Sequence, residues 1–303
     1  MFRDLLTLEF SIIIYKKNLR AIMEDKNAKQ KEFWSGKGGD YWVVKQNEMD
    51  VMLNPLGEKA LAKLDLRIDS KVLDIGCGCG ATTIDIATKV PEGKVTGLDI
   101  SVPMLDQAKS EAIERGLTNI DFKVVDVQID QLVTEKYDCV YSRFGVMFFE
   151  DPFEAFKNIF SSVKEGGELS FVCWQDPALN PWQSLSIKVI KEYLDIPSPP
   201  ERSPGPFAFQ EQDYVKDILA QSGFSDINFD NNQEDITMFS GKSLQQASED
   251  YLAINPVVTE MLKDSPDNLK AEIVESLKEA FSEFHKGDGL LFPSATWIVS
   301  ASK

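Results

Sequence analysis

Between residues 71 and 174 short β-branched runs alternate with stretches whose apolar residues recur at helical spacing, the pattern of a parallel sheet covered on both faces. KVLDIG (71–76), KVTGLDI (94–100), IDFKVVD (120–126), YDCVYSR (137–143) and GELSFVCW (167–174) are predicted strands. A helix is predicted in SVPMLDQAKSEAIERG. Pro103 lies near its first turn, Met104, Leu105, Ala108 and Ala112 form its apolar face, and Gly116 follows its end. DPFEAFKNIFSSVKEGG repeats the design: Asp151 is the expected N-cap and Pro152 the first residue. Phe153, Phe156, Ile159, Phe160 and Val163 face inward, and Gly166 is the expected stop.

After Trp174 seven prolines between 177 and 206 interrupt the pattern. They predict a helix near 182–194 and a loop near 195–210 that reads as a lid rather than sheet. A helix near 211–222 stops at Gly223, FSDINFDNNQEDITMF follows as a strand, and LFPSATWIVSASK is the expected last strand. The residues between these two strands carry helical spacing with many acids. No internal repeat or low-complexity tract interrupts the chain.

A chain of 303 residues with 43% hydrophobic content buries a sizeable core. Its net charge of -17 opposes phosphate backbones and anionic lipid headgroups, so the expected partner is a small neutral or cationic molecule rather than a nucleic acid. The apolar patch from Leu5 to Tyr15 is too short for a bilayer span and is broken by Glu9. It also lacks the features of a cleaved signal, so no stable membrane insertion is expected. The sequence after Met23 reads as a natural start, which leaves the first 22 residues as an extension or a helix for a partner. Cys77, Cys79, Cys139 and Cys173 lie in apolar or glycine-rich runs without a CxxC pair, consistent with a reducing cytoplasm. The CxC of Cys77 and Cys79 could be half of a zinc site, but His285 is the sole histidine and no second cluster exists. No metal is expected; a tight turn needs small residues there.

Open parallel sheets bind ligands beyond the carboxyl ends of their strands. The first such end, VLDIGCGCG, places Gly76, Gly78 and Gly80 in a turn where a ligand can approach the backbone. Gly76, Gly78 and Ala81 also satisfy a GxGxxA dinucleotide fingerprint. Asp74, two residues before the first glycine, argues against a pyrophosphate and for a ligand bearing an amino group. Asp99 ends the second strand and suits both hydroxyls of a ribose. Asp126 ends the third and offers an acceptor to an exocyclic adenine amine. Taken singly, each acid could be a solvated cap or turn residue, Asp126 as readily as a ligand contact; together they describe a cationic, adenosine-bearing cofactor.

VLDIGCGCG, GLDIS and VVDVQ resemble, in order and spacing, the motifs of class I S-adenosylmethionine-dependent methyltransferases. WSGKGGDYWVVKQNEMDVMLNPLG, SRFGVMFFEDP, FVCWQDPALNPW and PGPFAF resemble a bacterial subgroup near the ubiquinone/menaquinone C-methyltransferases. The resemblance implies an α/β, Rossmann-like, doubly wound seven-stranded sheet with an antiparallel last strand and helical lid insertions. It implies S-adenosyl-L-methionine as cofactor, with Asp74, Gly76, Cys77, Gly78 and Gly80 along its methionine part. Asp99 and Ile100 would address the ribose, Asp126 and Val127 the adenine, and Ser142 and Arg143 the methionine end. The long stretch between the sixth and seventh strands departs from the short hairpin expected there, so 240–290 is read as an accessory helical cap. The expected division is an N-terminal helical extension over 1–45 and a methyltransferase domain over 46–303, with lids near 178–210 and 240–290.

In-line displacement at a sulfonium depends mostly on alignment, so no strong base is required and no catalytic residue is singled out. Trp42 is expected at the cofactor, and Tyr41, Phe144, Phe148 and Trp174 are candidate walls for the acceptor, although such aromatics commonly serve the core. Arg143 could hold a carboxylate of the substrate or of the cofactor, or pair with an acid on the surface. The leading expectation is a cytoplasmic methyltransferase acting on a small-molecule acceptor at O, N, S or C. The rivals are a non-catalytic module that binds S-adenosylmethionine and, disfavoured by Asp74 and Asp126, an NAD-dependent oxidoreductase.

Overall fold

The computed structural model describes residues 27–303 apart from 255, 264 and 288. The expectation for the first 22 residues lies outside the described residues. Helix α1 (27–34) leads into α2 (Lys37–Leu61), which runs unbroken across the boundary expected at 45/46. The strands are β1 (Lys71–Ile75), β2 (Lys94–Asp99), β3 (Ile120–Val124), β4 (Tyr137–Arg143), β5 (Val163–Trp174), β6 (Ser225–Met238) and β7 (Leu290–Ser302). They form one seven-stranded sheet in the order β3-β2-β1-β4-β5-β7-β6. β1 to β5 pair in parallel and β7 runs antiparallel to both neighbours. The expected fold class is the one observed.

The central strands are apolar almost throughout because both faces are covered. Successive strand residues point to opposite faces. Ser170 Oγ donates to the Ala60 carbonyl of α2 at 2.8 Å, whereas the Phe171 ring packs on Phe156 of α5 (Pro152–Ser162), so α2 and α5 cover opposite faces. Helix α3 (Ala81–Lys89) follows the glycine turn, and α4 (Val102–Glu114) starts at Ser101, whose hydroxyl caps Met104 N–H at 3.4 Å. α5 begins as the sequence predicts, on an Asp151 cap, but ends at Ser162 rather than at Gly166. The N–H groups of Glu135 and Lys136 occupy the Ser161 and Ser162 carbonyls that a longer helix would need, and Val163 already pairs with Tyr137. Gly166, at φ +72°, instead turns β5 towards the chain end, where its N–H meets the Lys303 carbonyl.

Beyond β5 lie α6 (Pro181–Lys191) and α7 (Gln212–Ser222), the latter closed by Gly223 at φ +109°. The segment expected as a lid ends in the core: Phe209 is buried against Phe156 and Phe171. The register of the last strands shapes the upper rim of the sheet. β5 stops at Trp174, opposite Thr296, while Leu290–Ala295 of β7 continue beyond it paired with β6. At about 3.4 Å per residue this hairpin overhangs the carboxyl edge by roughly 20 Å. Its tip carries α8 (Leu244–Ile254), α9 (Pro256–Leu262) and α10 (Asp267–Phe281), the helical insertion expected at 240–290. α8 and α10 pack together and α10 packs on α6. Ser186 of α6 donates to the buried Tyr251 hydroxyl of α8 at 2.7 Å. Among the described residues no helix is long and apolar enough to cross a membrane.

The carboxyl ends of β1 and β4 are drawn together. Ser142 Oγ donates to the Ile75 carbonyl at 2.7 Å, and a β-carbon on Gly76 would stand 2.8 Å from Gly145 Cα. Gly76 also has φ +65°, where a side chain is strained. Gly76→Ala is therefore expected to lower the unfolding free energy by about 2–4 kcal/mol, read as a fall in the urea midpoint at unchanged slope.

Candidate active site

The expected acids line up along three adjacent strand ends. Asp74 lies within β1 and is fully buried. Its Oδ2 accepts from Thr82 Oγ1 at 2.8 Å and Thr83 Oγ1 at 2.7 Å, both in the first turn of α3, while its Oδ1 is sealed from solvent without a hydrogen-bond partner among the described residues. Burial pushes the Asp74 carboxyl up to about 6, against the opposing pull of the two threonine hydroxyls and of Arg143. A second carboxylate, Asp99 at the end of β2, accepts Gly78 N–H at 2.9 Å and Ser101 N–H at 2.8 Å. It too is raised by burial, with backbone hydrogen bonds opposing. The third, Asp126, lies beyond β3, where Asn27 Nδ2 donates to it at 2.6 Å and Lys31 Nζ approaches to 3.0 Å, both from α1.

Between Asp74 and Asp99 runs the glycine turn. Gly76, Gly78 and Gly80 all have positive φ. At Gly78 a β-carbon would be 3.8 Å from Trp42 Nε1 and from Met104 Sδ, so the indole lies beside the turn. Cys77 and Cys79 are buried, and desolvation holds the Cys79 thiol near 12 and that of Cys77 well above its ordinary value. Both are neutral thiols. Ile100 accepts Ser35 Oγ at its carbonyl (3.1 Å), and Val127 is buried beside Asp126, its carbonyl held by Asn158 Nδ2 at 2.7 Å.

The residues after β4 behave differently from one another. The Ser142 hydroxyl is occupied by the Ile75 carbonyl and by Gly145 N–H. Arg143 turns to α2, where it pairs with Asp50 at 2.7 Å and bonds to Asn54; this ion pair is largely buried, not the surface pair weighed in the sequence. Phe144 adopts a left-handed backbone at φ +58°, an arrangement that costs of order 1–2 kcal/mol, and stacks on Trp174 with ring centroids 4.6 Å apart. Trp174 continues onto Trp182 at 4.9 Å and Trp182 onto Phe207 at 5.8 Å, an aromatic ladder from the strand ends into the segment beyond β5. A second aromatic group joins Phe148 to Trp34 at 5.0 Å and Trp34 to Trp42 at 6.2 Å. Among the described residues Tyr41 makes no ring contact with either group. Burial, with Glu48 and Asp250 nearby, lifts its phenol to about 12, which leaves it protonated at neutral pH. His285 sits before β7, its Nε2 3.4 Å from the Lys242 carbonyl.

Several of these residues were not singled out in the sequence. Thr82 and Thr83 had a readable signal, two hydroxyls directly after a glycine turn that follows a strand-end acid. Trp34 stands in WSGKGGDYW, and its role depends on α1 folding back. There its carbonyl accepts Ser101 Oγ at 2.6 Å. Asn27 and Lys31 carry no local signal at all. A cleft of about 560 Å³ lined by Leu179, Gln233, Asp235, Pro293 and Ala295 lies along the β6–β7 hairpin and shares no residue with the strand-end acids.

Residues 72–167 match the family model described as "Methyltransferase domain". The chain is 34% identical over 118 residues to the aklanonic acid methyltransferase DauC of Streptomyces sp. (strain C5), a match covering 39% of this chain and 54% of DauC. It thus spans about half the length of that relative. Among solved structures the YcgJ protein from Bacillus subtilis superposes with a TM-score of 0.54 at 17% identity, covering 82% of this chain and 98% of YcgJ. The Haemonchus contortus phosphoethanolamine N-methyltransferase 2, solved with phosphomonomethylethanolamine and S-adenosylhomocysteine, superposes with a TM-score of 0.51 at 17% identity over 82% of this chain and 52% of its own. The methyltransferase-domain model matches the segment that carries β1 to β4 and the start of β5, and the solved structures share the fold.

Proposed function

We propose that this protein transfers a methyl group from S-adenosylmethionine to a small, largely apolar acceptor. The observation that carries the reading is the pair of buried carboxylates on either side of the Gly78 turn, one of them with an oxygen that finds no hydrogen-bond partner among the described residues. A buried acceptor without a donor is costly, and a buried carboxylate surrounded by neutral donors favours a cation. The unpartnered Asp74 Oδ1 fits an ammonium group. Asp99 spends one position of each oxygen on Gly78 and Ser101 and keeps acceptor capacity for two ribose hydroxyls. A pyrophosphate at the same turn would face both negative charges.

Bound there, the cofactor supplies an electrophilic methyl group on a sulfonium. The chain's share of the work is alignment and exclusion of water. α1 and α2 close over the ends of β2 and β3, and the β6–β7 overhang with α6, α8 and α10 encloses the ends of β4 and β5. Phe144, Trp174, Trp182 and Phe207 offer an aromatic wall for the acceptor, the role proposed for the ladder. Tyr41 keeps its proton at neutral pH and the ring of His285 faces a backbone carbonyl, so acceptors that are already nucleophilic suit the site best. The relative DauC is an aklanonic acid methyltransferase, which agrees with a small-molecule acceptor.

Calorimetric titration with S-adenosylmethionine and with NAD tests the cofactor, and release of S-adenosylhomocysteine in the presence of phenolic and carboxylic acceptors tests turnover. Selective binding of the former ligand is expected, and Asp99→Ala should weaken it by about 10- to 100-fold. NAD binding, or no binding, would overturn the reading; binding without turnover over a broad acceptor panel would favour a non-catalytic module.

Asp74 adds a pH signature. Its carboxyl is raised in the free protein, so below about pH 6 it is protonated and cannot pair with an ammonium. Affinity for the cofactor should therefore plateau above pH 7 and fall about tenfold between pH 7 and pH 5, with proton release on binding near pH 6. Asp74→Asn should bind weakly at every pH and lose most of that slope.

A further inference from the structure

Two lysines and two acids join α2 to the helices at the hairpin tip, and the order of their distances is informative. Lys45 and Glu48 belong to α2, Asp250 to α8, and Lys242 to the joint between β6 and α8. Within each side the contacts are close: Lys45 Nζ lies 2.9 Å from Glu48 Oε1, and Lys242 Nζ is in direct contact with Asp250 Oδ2. Across the seam they are longer, 3.4 Å from Lys242 Nζ to Glu48 Oε1 and 3.9 Å from Lys45 Nζ to Asp250 Oδ2. Parting an ordinary ion pair between two elements leaves two bare charges. Parting this seam breaks only the longer contacts and leaves each lysine with an acid of its own side. The four side chains are 22% to 36% exposed, so water and salt reach them and the cross pairs are weak.

Each side of the seam has its own support. α2 packs on α3, α4 and the sheet, whereas α8 packs on α9 and α10. Gly241, at φ +78° and with open space where a β-carbon would stand, directly precedes Lys242 in the joint. The seam also lies between the two aromatic groups. Trp42 precedes Lys45 by three residues on α2. Tyr251, next to Asp250, bonds to Gln183 and Ser186 of α6, whose first turn carries Trp182.

We propose that the seam between α2 and α8 is a gate, latched by the cross pairs of Lys45 with Asp250 and of Lys242 with Glu48, which opens as each lysine retreats to the acid of its own side. The opening leads from solvent towards the ends of β4 and β5, so a small molecule reaches the aromatic ladder without either cover unfolding. The inference rests on the reading of those strand ends as the acceptor site only for what passes through. The gate itself is tested without cofactor or acceptor, which keeps its failure separate from a failure of that reading.

The probe is acrylamide, a small neutral quencher of indole fluorescence, applied to the full chain. Quenching of the unmodified protein should rise by about half between about 20 mM and about 500 mM sodium chloride, because salt screens the cross pairs. Exchanging the charges of one side, by Lys242→Glu with Asp250→Lys or by Lys45→Glu with Glu48→Lys, keeps that side's own pair and turns both cross pairs into repulsions. Either double variant should show about twofold stronger quenching at low salt, falling as salt is added. All four substitutions together make the cross pairs attractive again and should restore both the low quenching and its rise with salt. Quenching of the unmodified protein that ignores salt would overturn the gate without recourse to any variant. A quadruple variant as open as either double would also overturn it, by marking damage to the helices in place of a latch. Failure to bind S-adenosylmethionine would overturn the proposed function and leave the result for the gate standing.

Discussion

A carboxylate buried at the end of the central strand is the constraint around which this structure is arranged. Asp74 has no access to water, and its charge is tolerated only because Thr82 and Thr83 each give a hydroxyl proton to one of its oxygens. Those hydroxyls are in reach because the glycine turn brings the first turn of α3 back over the end of β1. The turn in turn depends on Gly76 lying against Gly145 without a side chain between them. Remove any one of these and the carboxyl loses its partners or the strands lose their contact. The arrangement still leaves Oδ1 unsatisfied, a cost in the free protein that a cationic ligand would convert into affinity.

The enclosure of the strand ends comes from two distant parts of the chain. α1 and the turn that follows it reach Ile100, Ser101 and Asp126 through hydrogen bonds and an ion pair. The hairpin of β6 and β7 reaches the other half by length, since both strands run on after β5 has stopped. The two enclosures meet in a group of partly buried charges, where Lys45 and Lys242 both reach Glu48 and Asp250. Such pairs contribute little stability individually, but they register α2 against α8, and with them the N-terminal cover against the C-terminal one.

The sheet, the two capped helices and the strand-end acids were legible in the sequence because each obeys a local rule: β-branched runs, an Asp or Ser followed by Pro, a carboxylate ahead of a glycine turn. What escaped depends on contacts between residues far apart in the chain. Gly166 has the right chemistry to stop α5, yet the returning chain at Glu135 and Lys136 takes the carbonyls four residues earlier. Arg143 follows a strand end and could face a ligand, but Asp50 and Asn54 on α2 lie within its reach. The boundary expected at 45/46 failed to show in the structure because α2 has no break there, even at Pro55. Asn27 is the extreme case. Nothing around it in the sequence distinguishes it from a helix surface residue, and its partner is 99 positions away.

The distribution of charge along the rim bears on the proposed chemistry. A fixed negative charge beside a sulfonium would stabilise the reactant more than the transition state, because methyl transfer disperses the positive charge. An efficient site therefore keeps its acids away from the reacting centre. Here the carboxylates stand at β1, β2 and β3, whereas the ends of β4 and β5 present Phe144 and Trp174, with Arg143 turned aside onto Asp50. Aromatic faces attract a cation more weakly than a carboxylate does and exclude water while doing so. On the proposed reading the acids hold the ends of the cofactor that do not change charge, and the aromatic ladder borders the end that does. The left-handed backbone at Phe144, an otherwise unrewarded strain in a residue with a bulky side chain, is then the local cost of presenting that ring at the one strand end where a carboxylate would slow the reaction.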